Sequence, residues 1–264
     1  MNVDECGAPE MFSGGAKLIG IGGAVGKIDP ELLAATLKTF RHGDVHQVQP
    51  RCLTLTQSNE AGGVYSLQEL SRLVGIARDF GLKVHMDGAR FANALVALGC
   101  SPAEMTWKLG VDVLSFGATK NGAMAAEAVV FFDPELAGDF ALRRKRAGHL
   151  FSKMRFLSVQ VEAYLANDLW LKNAHHANAA AKRLASGLKA IDGIEMFGKV
   201  EANEVFVRLP TAVFKRMMKS EAAFHPWPNP DDSAGGGKLQ TIRLVTSFET
   251  TDEEIDRFLS LVRK

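Results

Sequence analysis

The sequence predicts an α/β fold: a mostly parallel sheet covered by helices, followed by a small C-terminal α+β domain. Three observations carry that reading. Short apolar strands alternate with amphipathic helical stretches through the first two thirds of the chain, as a parallel sheet with crossover helices requires. Beyond Asp133-Pro134 the pattern turns long and helical, with an Ala/Asn/Lys-rich amphipathic stretch from Trp170 to Leu188 that reads as a connector. The remainder mixes strands, helices and a Pro/Gly-rich loop. The boundary is expected near residue 175, giving a large domain over 1–174 and a small one over 175–264.

Taken in order, Asp29-Pro30-Glu31 before Leu32, Leu33 and Leu37 is a capped helix start with proline in the first turn. Arg51 to Thr56 reads as a strand. Ser66-Leu67-Gln68-Glu69 has the spacing of a capping box, in which the serine and glutamate side chains each satisfy an orphan backbone N–H. Its helix carries Leu70, Leu73, Val74 and Ala77 on one face and runs to Gly81. Strands are expected at Leu82 to Asp87, Val111 to Phe116 and Ala128 to Phe132, with a helix from Phe91 to Leu98. In the C-terminal part, strands are expected at Glu204 to Leu209 and Thr241 to Phe248, with a helix around Val213 to Lys219. His225-Pro226-Trp227-Pro228 and Gly235-Gly236-Gly237 read as loop, and Thr251-Asp252-Glu253-Glu254 opens a last helix with a second capping box.

Composition narrows the class. The 264 residues are 47% hydrophobic and 23% charged with a net charge of +1, which excludes disordered, coiled-coil and fibrous chains and argues against nucleic acid as main partner. No apolar run reaches the roughly 18–20 residues of a spanning helix, and the acidic opening, Met1 to Glu5, is unlike a secretory signal. A cytoplasmic protein without membrane contact is expected. Cys6, Cys52 and Cys100 are odd in number and widely spaced, so they indicate free, buried thiols rather than a disulfide framework or a metal site. The run Arg143-Arg144-Lys145-Arg146 reads as a solvated helix face or a subunit contact.

Ligands of open parallel sheets collect beyond the C-terminal strand ends, and two such ends carry chemistry. One is Asp87-Gly88-Ala89-Arg90. The other is Phe116-Gly117-Ala118-Thr119-Lys120-Asn121-Gly122, a glycine-flanked turn holding one lysine. A pyridoxal phosphate enzyme needs a lysine that condenses with the aldehyde and an acid that keeps the pyridine nitrogen protonated. Lys120 and Asp87 supply that pair at successive strand ends. The plainer alternatives are a surface lysine in a turn, an aspartate capping the helix near Phe91, and Arg90 as a buried ion-pair partner.

Four ordered segments then resemble one family: Asp4 to Glu10, His85 to Arg90, Phe116 to Gly122 and Ile242 to Phe248. They look like the low-specificity L-threonine aldolases of the β-eliminating lyase family, pyridoxal 5'-phosphate enzymes of the aspartate-aminotransferase-like fold. The resemblance implies aldol cleavage of L-threonine and L-allo-threonine to glycine and an aldehyde. It makes Lys120 the Schiff-base lysine, Asp87 the partner of the pyridine nitrogen, Arg243 the main carboxylate-binding arginine, and Arg90 a helper beside the cofactor. It further implies Arg155 near the substrate and a homo-oligomer built as a dimer of dimers; apart from the resemblance, Gln57 in the loop after the first strand is a candidate to contact the cofactor, and residue spacing gives no metal site.

Two departures accompany it. One branch of the family has a histidine in the loop where this chain reads Thr56-Gln57-Ser58-Asn59-Glu60, leaving Glu60 or a bound water as the base. Family members also carry, upstream of Asp4, a first helix, a phosphate-binding loop and a ring-stacking histidine. Three readings stay open: a threonine aldolase, a non-catalytic remnant without cofactor, and a phenylserine-type aldolase.

Overall fold

The computed structural model describes residues 2–227, 232 and 237–263, which form two sheets joined along one long helix. Helices α1 (Ala8–Ser13) and α2 (Pro30–Lys38) come first. The Asp29 carboxylate caps α2 by accepting the Leu32 N–H at 2.8 Å.

Strands β1 (Cys52–Thr56), β2 (Lys83–Gly88) and β3 (Val113–Gly117) lie side by side and parallel, and β4 (Glu127–Phe131) adds antiparallel to β3. The connections make this possible. Helix α3 (Leu67–Asp79) crosses from β1 to β2, and α4 (Phe91–Leu98) with α5 (Pro102–Met105) crosses from β2 to β3. Ser66 and Glu69 form the expected capping box at the start of α3. Strand alternation then sorts the side chains. Leu53, Leu55, Val84, Met86, Leu114 and Phe116 are buried in one core with Leu70, Leu73, Val74 and Ala77 of α3. Each such leucine stabilises the fold by roughly 1.5–3 kcal/mol relative to exposure. The alternate residues Thr54, Thr56, His85, Asp87 and Ser115 are half-buried on the other face.

After β4 come α6 (Phe140–Arg146), α7 (Arg155–Leu165) and α8 (Leu169–Lys189). The basic run forms the end of α6, where Arg143 reaches back to the Phe12 carbonyl at 3.3 Å. Asn167 and Asp168 turn the chain between α7 and α8 with φ of 53° and 57°. Short polar side chains tolerate that left-handed backbone better than others. Residue 175 lies inside α8, which is continuous through it. Trp170 and Ala174 belong to the core of the first sheet, whereas Ala181, Leu184, Ala185 and Leu188 belong to the second.

The second sheet is antiparallel, in the order β5 (Glu195–Met196), β6 (Glu204–Pro210), β8 (Leu239–Val245), β7 (His225–Pro226). Helices α9 (Thr211–Met217) and α10 (Asp252–Arg263) cover it, and Thr251 and Glu254 exchange the capping-box bonds that start α10. Three expectations are corrected here. The strand expected to reach Phe248 ends at Val245, because the Thr246 hydroxyl turns to the Ala177 carbonyl of α8. His225-Pro226, read as loop, pairs with Arg243-Ile242 as an edge strand, where proline's missing donor is tolerated; Pro228, Gly235 and Gly236 of that loop lie outside the described residues. The cysteines are free, but Cys6 and Cys52 are exposed and Cys100 only partly covered.

Candidate active site

Two turns meet at the C-terminal end of the parallel sheet. β2 delivers Asp87, which lies opposite Ser115 of β3, and β3 runs past Gly117 into a single 3-10 turn, Thr119–Asn121, that carries Lys120. The contact is close. A Cβ on Gly117 would sit 2.8 Å from the Ala89 Cα and carbonyl oxygen, and one on Gly88 would sit 2.8 Å from the Ser115 carbonyl oxygen. Only glycine lets these backbones touch, so the two glycines set Asp87 and Lys120 on abutting turns.

The Lys120 turn is anchored from below. Asn121, buried, donates to the Tyr164 Oη at 2.6 Å and to the Trp170 carbonyl at 2.9 Å, while Asn173 of α8 donates to the Asn121 carbonyl. Tyr164, Trp170, Phe91 and Phe116 pack their rings together beneath it. Burial pushes the Tyr164 phenol up to about 12, so it stays a neutral hydrogen-bonding group. Lys120 itself is exposed, and among the described residues its amine makes no ion pair or hydrogen bond. Asp87 accepts the Ala89 N–H at 3.0 Å. It does not cap the following helix, whose N-cap is Arg90 without a side-chain bond. On the same sheet face, His85 meets the Ser115 hydroxyl at 2.9 Å, and burial lowers its pKa and favours the neutral ring.

Beside the turns lies a cluster of four charges. Arg90 is 7% exposed and places Nη1 3.5 Å from Glu60 and Nη2 3.1 Å from Glu204. Arg243 of β8 places Nη1 3.2 Å from Glu60 and 3.8 Å from Glu204. Register explains the second pair: Glu204 is opposite Val245 and Arg243 opposite Phe206, so the two are diagonal neighbours on one sheet face. The Trp227 ring covers the Arg243 guanidinium at 5.0 Å. Glu204 is fully buried and neither oxygen receives a well-aligned hydrogen bond. Desolvation therefore raises its pKa to about 7 despite the opposing pull of Arg90, with Glu60 adding to the rise and Arg243 and the Lys120 ammonium opposing it.

The structure thus brings together Lys120 and Asp87, and Arg90 with Arg243. Gln57 is fully buried, and its side-chain amide donates to the Tyr65 carbonyl and accepts the Tyr65 N–H, which holds the loop after β1. Arg155 stands exposed at the start of α7 over the Phe156 ring, with no described bond to the cluster. Asn59 closes the same loop: its Oδ1 accepts from Ala61 and Gly63, and its Nδ2 donates to Val25. Sequence reasoning missed Glu204. The signal was present in a lone acid opening the apolar run Val205-Phe206-Val207.

An amine and a carboxylate on abutting turns, with two guanidiniums beside them, match the aldehyde and ring-nitrogen ends of pyridoxal phosphate and the carboxylate of an amino acid. Fold and donor set define a pyridoxal-phosphate-dependent enzyme of amino-acid chemistry. Residues 1–211 match the beta-eliminating lyase family, and the chain belongs to it. It is 40% identical over 263 residues to a low specificity L-threonine aldolase of a Pseudomonas species, a match spanning all of this chain and 73% of that one. It is 47% identical over 209 residues to the low specificity L-threonine aldolase of Pseudomonas aeruginosa, covering 79% of this chain and 60% of the relative. Among solved structures, Leishmania major threonine aldolase superposes with a TM-score of 0.88 at 26% identity, over 99% of this chain and 73% of that one.

Proposed function

We propose that this chain cleaves the Cα–Cβ bond of L-threonine-type β-hydroxy-α-amino acids, releasing glycine and an aldehyde, with pyridoxal 5'-phosphate as cofactor. The observation that carries the reading is the contact of the Asp87 and Lys120 turns beside the Arg90–Arg243 pair. When bound, the cofactor supplies an electron sink for the carbanion left at Cα.

The protein's own groups do the rest. Lys120 would hold the cofactor through its amine, the group that condenses with an aldehyde. Asp87 would partner the ring nitrogen, where a carboxylate favours the protonated form. Arg243, fixed on a strand and covered by Trp227, grips the substrate carboxylate, and Arg90 steadies it. That grip orients the Cα–Cβ bond for cleavage. Phe156, Val159 and Leu165, exposed along α7, support assembly into a homo-oligomer, and the family resemblance supports a cytoplasmic homotetramer.

The test is to mix the chain with the cofactor, reduce with borohydride and map the modified peptide, then assay glycine and aldehyde release from L-threonine, L-allo-threonine and phenylserine. Modification at Lys120 with acetaldehyde from the threonines supports the proposal. Absence of modification discards it, and turnover of phenylserine alone reassigns the substrate.

A further inference from the structure

The Arg90–Arg243 pair, read above as the grip for the substrate carboxylate, already holds a carboxylate. Glu60 sets one oxygen 3.5 Å from Arg90 Nη1 and the other 3.2 Å from Arg243 Nη1, bridging the two guanidiniums as a substrate carboxylate would. The Nε of Arg243 is buried without a partner, so the Nη end is the edge open to an incoming anion, and Glu60 occupies it.

We propose that Glu60 is a displaceable internal occupant of the substrate-carboxylate seat, bridging Arg90 and Arg243 until the amino acid replaces it; this rests on the reading of those arginines given above. Of the two acids in the cluster, only Glu60 can leave. Glu204 is fully buried at the start of β6, whereas the Glu60 side chain is 53% exposed. The backbone beneath Glu60 is closed by Asn59, through its bonds to Ala61, Gly63 and Val25, and by the Gly62 N–H to the Asn59 carbonyl. Release is therefore a side-chain rotation into water rather than a loop movement. Charge favours it: a substrate carboxylate entering the same guanidinium edges meets the repulsion of Glu60 unless that acid departs. A bridge that is half in solvent is a weak one, so displacement is affordable.

The experiment uses the full chain loaded with cofactor and measures equilibrium glycine binding by the change in visible absorbance, without aldehyde and thus without turnover. Glu60→Gln and Glu60→Ala are expected to tighten glycine by about three- to ten-fold and to lower KM for L-threonine by the same factor. Acetate is expected to compete with glycine more strongly in Glu60→Ala than in the parent, because the vacated seat accepts any small carboxylate. Unchanged glycine and acetate affinities in both variants would overturn the proposal. So would a fall in kcat of about 10²–10⁴ at unaltered glycine affinity, which would make Glu60 the proton acceptor. Arg243→Ala separates the two levels: if it leaves glycine binding untouched, the reading of the arginines fails, and the seat with it.

Discussion

Gly117 and Ala89 touch backbone to backbone, with the place of a Gly117 side chain 2.8 Å from the Ala89 Cα. That contact joins the Asp87 turn to the Lys120 turn. Gly117→Ala is expected to push them apart, because neither neighbour is the flexible end of a side chain. Overpacking of this kind costs about 1–3 kcal/mol. Thermal unfolding reads the stability loss, and a cofactor titration reads the separation of the two groups. A variant as stable as the parent, with unaltered cofactor affinity, would show that the turns need not touch.

Lys120→Ala removes the amine without disturbing its supports, since the turn is held through Asn121 and Asn173. The variant is expected to unfold within a degree or two of the parent, to yield no borohydride-stable link to the cofactor, and to lose turnover by at least about 10³-fold. Retention of the link would move the assignment to another lysine.

Much of this was legible in the chain's punctuation. Capping boxes at Ser66 and Thr251 and alternation in β1 to β3 report local preferences, and local preferences are written in neighbouring residues. Asp87 and Lys120 were legible because topology alone brings successive parallel strand ends together. The cluster of Glu60, Arg90, Glu204 and Arg243 was not. It joins a loop after β1, the end of β2 and two strands of the second sheet, and no spacing rule connects residues 60, 90, 204 and 243. The Gln57 contacts were hidden for a similar reason, as its amide answers the Tyr65 backbone eight residues on.

Arg243 contributes a planar fork held by Trp227 and by strand pairing with β6. Arg243→Lys keeps the charge and loses the fork. It is expected to raise KM for L-threonine by about 10- to 100-fold, the cost of one charge-assisted hydrogen-bond pair, while Lys120 still links to the cofactor. A KM within two-fold of the parent would remove Arg243 from the carboxylate seat.

Glu204 ties the fold's stability to pH. Its ordinary value of 4.5 rises to about 7 because burial outweighs Arg90, Arg243 and Lys120, with Glu60 adding repulsion. The folded protein therefore holds the Glu204 proton more tightly than the unfolded chain does. Between pH 4.5 and 7 the native state binds more protons, so this group's contribution to stability falls as pH rises. The contribution is fully present below pH 4.5 and lost above about 7. The ceiling on that loss is about 3 kcal/mol, from a shift of some two and a half units at 1.36 kcal/mol each. Glu204→Gln keeps the shape and cannot ionise. Its melting temperature should equal the parent's near pH 5 and exceed it by several degrees near pH 8. Parallel curves for the two proteins across that range would mean that Glu204 ionises at its ordinary value, and that the two arginines offset its burial in full.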